Sequence, residues 1–168
     1  MHKKIFLVGM PGSGKTTLGK PIAAKLGLPF FDLDQIIKEK EQMEINEIFS
    51  QKGEAYFREA EANLLRDFSL KNETFLLSTG GGTACFHKGM QFMNETGLTI
   101  FINVPYEELF RRLHGNGTDD RPLLKGKSQE ELERELEGKV MERLPYYNKA
   151  QISIKGDNLR PEEILNLL

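Results

Sequence analysis

Two observations predict an α/β domain whose parallel sheet is covered by helices on both faces. Five short apolar runs alternate with helix-length segments, and a glycine-rich loop sits between the first run and the first helix. The runs are rich in Ile, Val, Leu and Phe and occupy residues 4–8, 29–33, 74–78, 98–104 and 151–155. Strands buried on both faces read as such continuous runs, and the helices joining parallel strands cross over with a right hand. Ligands of such sheets sit at the carboxyl ends of the strands.

The first loop is specific. Gly9-Met10-Pro11-Gly12-Ser13-Gly14-Lys15-Thr16 matches G-x-x-x-x-G-K-[ST] in full and follows Ile5-Phe6-Leu7-Val8. Glycines let successive backbone N–H groups converge on phosphates, the lysine reaches the outer phosphates, and the Thr16 hydroxyl suits Mg²⁺. The helix that opens here adds the positive end of its dipole.

Length and composition bound the rest. At 168 residues the chain fits one domain, residues 1–168, with a single core. Formal net charge is −2, with 39% hydrophobic and 29% charged residues, so the basic excess of a nucleic-acid binder is missing. Anionic ligands must then be met by local arginines. A single cysteine, Cys85, reads as an inert thiol in a reducing compartment. Met1-His2-Lys3-Lys4 runs straight into the first apolar run, and no stretch approaches the length of a membrane span. A cytoplasmic monomer with no membrane partner is the expectation.

Helix 1, from about residue 15 to 26, carries Pro21, which removes a backbone donor and predicts a kink or a shortened segment. Residues 46–69 read as two helices broken near Gly53. Phe49 and Phe57 fall on their apolar positions, where core packing and ligand contact are both open. Ser128-Gln129-Glu130-Glu131 is a capping box that opens a long helix toward Leu144, with Pro145 as its stop. Residues 114–127 hold Gly115, Gly117 and Gly126 among polar residues without apolar periodicity, and read as a mobile lid bearing Arg121.

Phosphoryl transfer needs a nucleotide cradle, a metal, stabilisation of charge on the moving group, and an aligned acceptor. Asp32 and Asp34 close the second strand. They alternate to opposite faces unless the strand has already ended, so one suits Mg²⁺ beside Thr16 and the other an acceptor hydroxyl. An Asp here also suits a helix cap. Arg58 and Glu61 stand three residues apart on one helix face, an ordinary ion pair or a guanidinium oriented from behind to grip a carboxylate. Gly80-Gly81-Gly82 follows the third strand, where three glycines allow close approach to a ligand. Arg121 before Pro122 suits the phosphates, and Arg143 near the end of the long helix suits a second carboxylate contact. His2, His87 and His114 show no metal spacing and receive no function.

Together, Gly9 to Thr16, Phe31-Asp32-Leu33-Asp34, Ile48-Phe49 with Gly53-Glu54, Phe57-Arg58-x-x-Glu61, Gly80 to Gly82, Arg121-Pro122-Leu123-Leu124 and Arg143-x-x-Tyr146 resemble the shikimate kinases. The match runs over nearly the whole chain. The resemblance implies a three-layer P-loop kinase fold like that of nucleoside monophosphate kinases, with a five-stranded parallel sheet, substrate-binding helices in a region of about 33–61, and a mobile lid. It implies ATP-dependent phosphorylation of the shikimate 3-hydroxyl, a step of chorismate and aromatic amino-acid biosynthesis, with Mg²⁺ as cofactor.

Carried over by position, Lys15, Asp34 and Arg121 are catalytic. Asp34, Arg58, Arg143 and Gly80, Gly81 and Gly82 meet shikimate, and Phe49, Phe57 and Glu61 shape its pocket. Gly12, Ser13, Gly14, Lys15, Thr16, Thr17 and Arg121 hold the phosphates, and Thr16 and Asp32 the metal. Adenine lies between Arg112 and a late loop at Leu159-Arg160-Pro161.

Three rivals leave marks this chain lacks. A gluconate kinase asks for His-Pro soon after the second strand, and Gln35-Ile36-Ile37-Lys38 stands there. A GTPase switch asks for Asp-x-x-Gly after the third strand and Asn-Lys-x-Asp later; Ser78-Thr79-Gly80 and Asn148-Lys149-Ala150-Gln151 occupy those places. A non-catalytic nucleotide-binding module would have lost Lys15, Asp34 or Arg58, and all three are present.

Overall fold

The structure is a computed structural model that describes residues 3–115 and 127–168. The sheet has five strands in the order β2-β3-β1-β4-β5, with every neighbouring pair parallel. They are β1 (Lys4–Val8), β2 (Phe30–Asp32), β3 (Phe75–Ser78), β4 (Leu98–Asn103) and β5 (Ile152–Lys155). Each lies inside one of the five apolar runs. The central strands are buried along their length, as continuous Val, Ile, Leu and Phe demand, whereas edge strand β5 alternates between half-buried and exposed residues.

Helices α1 (Lys15–Leu26), α2 (Leu33–Glu41), α3 (Ile45–Lys52) and α4 (Glu54–Lys71) precede β3. Helices α5 (Gly89–Thr96), α6 (Tyr106–His114), α7 (Gln129–Tyr147) and α8 (Pro161–Leu165) complete the described residues. One core joins both layers to the sheet, with Phe6, Leu7, Ile22, Leu65, Leu76 and Ile100 fully buried at its centre. The break between α3 and α4 falls at Gly53, whose φ of 86° and ψ of 165° no L side chain adopts easily. The Ser128 capping box forms as expected, its hydroxyl accepting from Glu131 N at 3.2 Å.

Neither proline cuts its helix short. Pro21 lies inside an unbroken twelve-residue α1. Its missing bond would have gone to the carbonyl of Thr17, an exposed residue, while Leu18, Ile22 and Ala23 anchor the helix on the sheet. Pro145 does not end α7, which continues to Tyr147. The donor it lacks would have served Met141, also exposed, and Asn148 N bonds to Leu144 O at 2.9 Å beyond it.

Strands β1 and β3 lie side by side, so the loops leaving their carboxyl ends border one crevice. The β1 loop is the phosphate-binding motif and the β3 loop carries Gly80 to Gly82.

Candidate active site

The phosphate-binding loop turns into α1 through Gly12 and Gly14, at φ of 81° and 88°. Only glycine holds that path without strain, and it leaves the N–H groups at the start of α1 unpaired by side-chain caps. Lys15 folds back over the loop, donating from Nζ to Gly9 O at 2.8 Å, Met10 O at 2.9 Å and Ser13 Oγ at 3.4 Å. Burial pushes its ammonium down to about 8, against the pull of Asp34 and Asp32.

Thr16 Oγ1 donates to Asp32 Oδ2 at 2.7 Å and lies 3.1 Å from Ser78 Oγ. Thr16 has one hydroxyl proton, so Ser78 donates to it. Two hydroxyls and a carboxylate are hard oxygens of the kind Mg²⁺ takes when most of its shell is water and phosphate. Among the described residues no group of three or more His, Cys, Asp or Glu could hold a metal ion. The donor set therefore fits the cofactor expected from the sequence.

Strand β2 stops at Asp32, and this decides the geometry of the two aspartates. Asp32 caps α2, its Oδ1 accepting from Asp34 N at 3.0 Å, and Asp34 sits in the first helical turn. The alternation of a strand no longer applies, and both carboxylates act on the same Lys15. The cap and the partner of Thr16 are thus one residue. Burial first, then the charges of Asp32 and Glu61, raise Asp34 above the ordinary carboxylate range, opposed by Lys15 and Lys38.

Opposite lies a buried ion pair on α4. Arg58 Nη1 donates to Glu61 Oε2 at 3.0 Å, and Glu61 Oε1 accepts from Thr83 Oγ1 at 2.7 Å. Glu54 accepts from Arg58 Nε at 3.3 Å. The guanidinium carbon sits 4.5 Å from the Phe86 ring centre, 5.2 Å from Phe57 and 5.7 Å from Phe49. Phe49 and Phe57 face each other at 4.5 Å, so they wall the arginine as well as joining the core.

The glycine turn fits between these groups because it has no side chains. A Cβ on Gly80 would stand 2.8 Å from Glu61 Oε1 and 3.1 Å from Asp34 Oδ1. One on Gly81 would stand 2.8 Å from Arg143 Nη1, and one on Gly82 would run into the Arg58 guanidinium. The turn thus brings together Asp34, Glu61, Arg58 and Arg143, which the sequence scatters over 110 positions. Thr16, Asp32 and Asp34 also open on a cleft of about 870 Å³ bounded by α2 and Lys20.

A second cleft of about 470 Å³ runs along the other side of the loop, lined by Gly12, Ser13, Gly14, Thr17, Arg112 and Leu159 among others. Arg112 Nη1 donates to Gly12 O at 3.1 Å, its Nη2 donates to Asp157 O, and Glu108 holds its Nε at 2.6 Å. Pro161 does not line this cleft; it opens α8. Asp157 and Asn158 line it instead, and their turn-forming run Gly156-Asp157-Asn158 was the signal available. Sequence reasoning also passed over Ser78, Thr83, Phe86 and Tyr147. Arg121 and most of the expected lid at 114–127 lie outside the described residues.

A phosphate-binding loop with a buried lysine, beside a glycine turn ringed by an aspartate and two arginines, marks a P-loop phosphotransferase. The chain belongs to the shikimate kinase family, whose family model, described as shikimate kinase, matches residues 11–168. It is 45% identical over 156 residues to the shikimate kinase of Bacteroides thetaiotaomicron, covering 93% of this chain and 88% of that one. To that of Aquifex aeolicus it is 38% identical over 162 residues, covering 96% and 91%. A crystal structure of the Bacteroides thetaiotaomicron enzyme superposes with a TM-score of 0.91 at 40% identity, covering 99% of this chain and 98% of that one. The Acinetobacter baumannii shikimate kinase in complex with shikimate gives a TM-score of 0.86 at 30% identity, covering 98% and 92%.

Proposed function

We propose that the chain transfers the γ-phosphoryl group of ATP to the 3-hydroxyl of shikimate, giving shikimate 3-phosphate and ADP on the way to chorismate and the aromatic amino acids. One observation carries the reading: Asp34 and the Arg58–Glu61 pair converge on Gly80 to Gly82, with Arg143 against Gly81. A molecule with a carboxylate at one end and vicinal hydroxyls at the other matches that arrangement. The two guanidiniums take the carboxylate, Arg58 in an orientation set by Glu61, Glu54 and the aromatic rings around it. Asp34 accepts from the attacking hydroxyl, and its raised proton affinity suits a group that takes a proton as the new bond forms.

On the donor side the N–H groups of Gly12 to Thr17 cradle the phosphates, and Lys15 exchanges loop carbonyls for phosphate oxygens. Bound Mg²⁺, held by Thr16 with Asp32, supplies charge neutralisation at the phosphates. Arg112 and Leu159 enclose the adenine. We assign Arg121 to the phosphates and residues 114–127 to a lid on the motif Arg121-Pro122-Leu123-Leu124. The chain acts as one kinase domain, and we place it in the cytoplasm as a monomer; no helix among the described residues is long and apolar enough to cross a membrane.

The test is ADP formation with Mg-ATP against shikimate, gluconate and nucleoside monophosphates. Turnover confined to shikimate is expected. Faster turnover of another acceptor would overturn the acceptor-site roles while leaving the phosphate loop's intact.

A further inference from the structure

Tyr147 is buried at the end of α7, one helical turn beyond Arg143, and its hydroxyl donates to the carbonyl of Gly81. The glycine turn gives this bond its meaning. Gly80 O accepts from Thr83 N at 3.2 Å and Gly82 O from Cys85 N at 2.9 Å, so the outer two carbonyls are satisfied inside the turn. The middle one is satisfied from another element. Tyr147 is also fixed on its other sides: its ring faces Phe101 at 5.0 Å, and its oxygen lies 3.7 Å from the sulfur of Met10 in the phosphate-binding loop. Burial raises the proton affinity of the hydroxyl, which stays a donor.

Arg143 reaches the same glycine from the same helix, its Nη1 standing 2.8 Å from where a Cβ on Gly81 would be. The helix end therefore holds Gly81 by its carbonyl while presenting a guanidinium beside its Cα. Resting on the substrate assignment above, we propose that Tyr147 is a positioning residue of the acceptor site. Its hydroxyl clamps Gly81 and so sets the spacing between the glycine turn and the Arg143 guanidinium that takes the substrate carboxylate.

Tyr147→Phe keeps the ring against Phe101 and removes the hydroxyl, and with it the clamp on Gly81, the contact with Met10 and the hydrogen bond shared with Arg143. Without its Tyr147 donor the half-buried Gly81 carbonyl is no longer held against α7, the turn can shift, and the shikimate KM should rise about fivefold to tenfold. The ATP KM should stay within about twofold, because the hydroxyl meets the phosphate-binding loop at the Met10 sulfur, outside the cradle of Gly12 to Thr17. The decisive readout is preference for shikimate over its carboxamide, which depends on how the guanidiniums meet the carboxylate. That preference should fall in Tyr147→Phe, and in an Arg143→Ala background the same substitution should add little. An unchanged shikimate KM overturns the proposal. So do equal rises in both KM values with the carboxylate preference intact and a lowered unfolding midpoint, the pattern of a merely structural residue. The unsubstituted chain is assayed first, and failure to phosphorylate shikimate there overturns the substrate assignment together with this role.

Discussion

Glu61 accepts from Arg58 at 3.0 Å with the two side chains only 2% and 9% exposed, and Thr83 holds its second oxygen. A carboxylate with both oxygens engaged cannot swing, so the guanidinium it grips is fixed before any ligand arrives. Phe86, Phe57 and Phe49 close around the same group. Such preorganisation lowers the ordering cost of binding a carboxylate.

Removing the grip should therefore act on one substrate. Arg58→Ala is expected to raise the shikimate KM about 100-fold while ATP binding, measured by titration, stays nearly intact. Arg58→Lys should recover little, because an ammonium cannot reproduce the planar fork that Glu61 orients. Equal losses for both substrates would remove Arg58 from the carboxylate clamp.

Asp34 has a raised proton affinity because burial and two neighbouring carboxylates disfavour its charge. Its active form is the carboxylate, so kcat should fall as pH drops through this raised value, and Asp34→Asn should remove that limb and depress kcat about 100-fold or more. Stability should move the other way. Between the unfolded pKa and the higher folded one, the native state binds more protons, so stability falls as pH rises through that window. The charged group is a cost at neutral pH, and Asp34→Asn should raise the unfolding midpoint there. Unchanged turnover in the variant would exclude Asp34 from acceptor activation.

Lys15 titrates in the opposite sense. Its ammonium is held at about 8 in the free protein by burial, and phosphates replacing loop carbonyls should restore its charge. ATP binding near pH 8.5 should thus take up a proton, and affinity should weaken as pH climbs above 8. Calorimetry in buffers of different ionisation enthalpy measures that uptake, which Lys15→Met should abolish. The free protein should also gain stability as pH rises from about 8 toward 10.5, where the unfolded chain binds the extra proton.

What was legible in the sequence followed from local rules. The five strands stand where buried β-branched and aromatic runs have no other use, and the phosphate loop, the Gly53 break and the Ser128 cap each carry their geometry in a few adjacent residues. Pro21 and Pro145 do not shorten their helices because a proline costs one bond, and tertiary packing or an exposed carbonyl absorbs that cost. Phe86 and Tyr147 were unreadable for a different reason. Nothing near them in the chain announces a partner; Phe86 meets Arg58 and Tyr147 meets Gly81 only through the fold.

Asp32 performs two jobs that substitution can separate. It accepts from Thr16 at 2.7 Å, where we propose the metal is held, and from Asp34 N at 3.0 Å as the cap of α2. Asparagine caps a helix about as well as aspartate but lacks the charge, whereas alanine loses both, at about 1 kcal/mol for the cap. Asp32→Asn should leave the unfolding midpoint close to that of the parent while raising the Mg²⁺ concentration for half-maximal rate about tenfold. Asp32→Ala should show the same metal effect with an added loss of stability. If the two variants need no more Mg²⁺ than the parent, Asp32 serves α2 alone and Thr16 meets the metal without it.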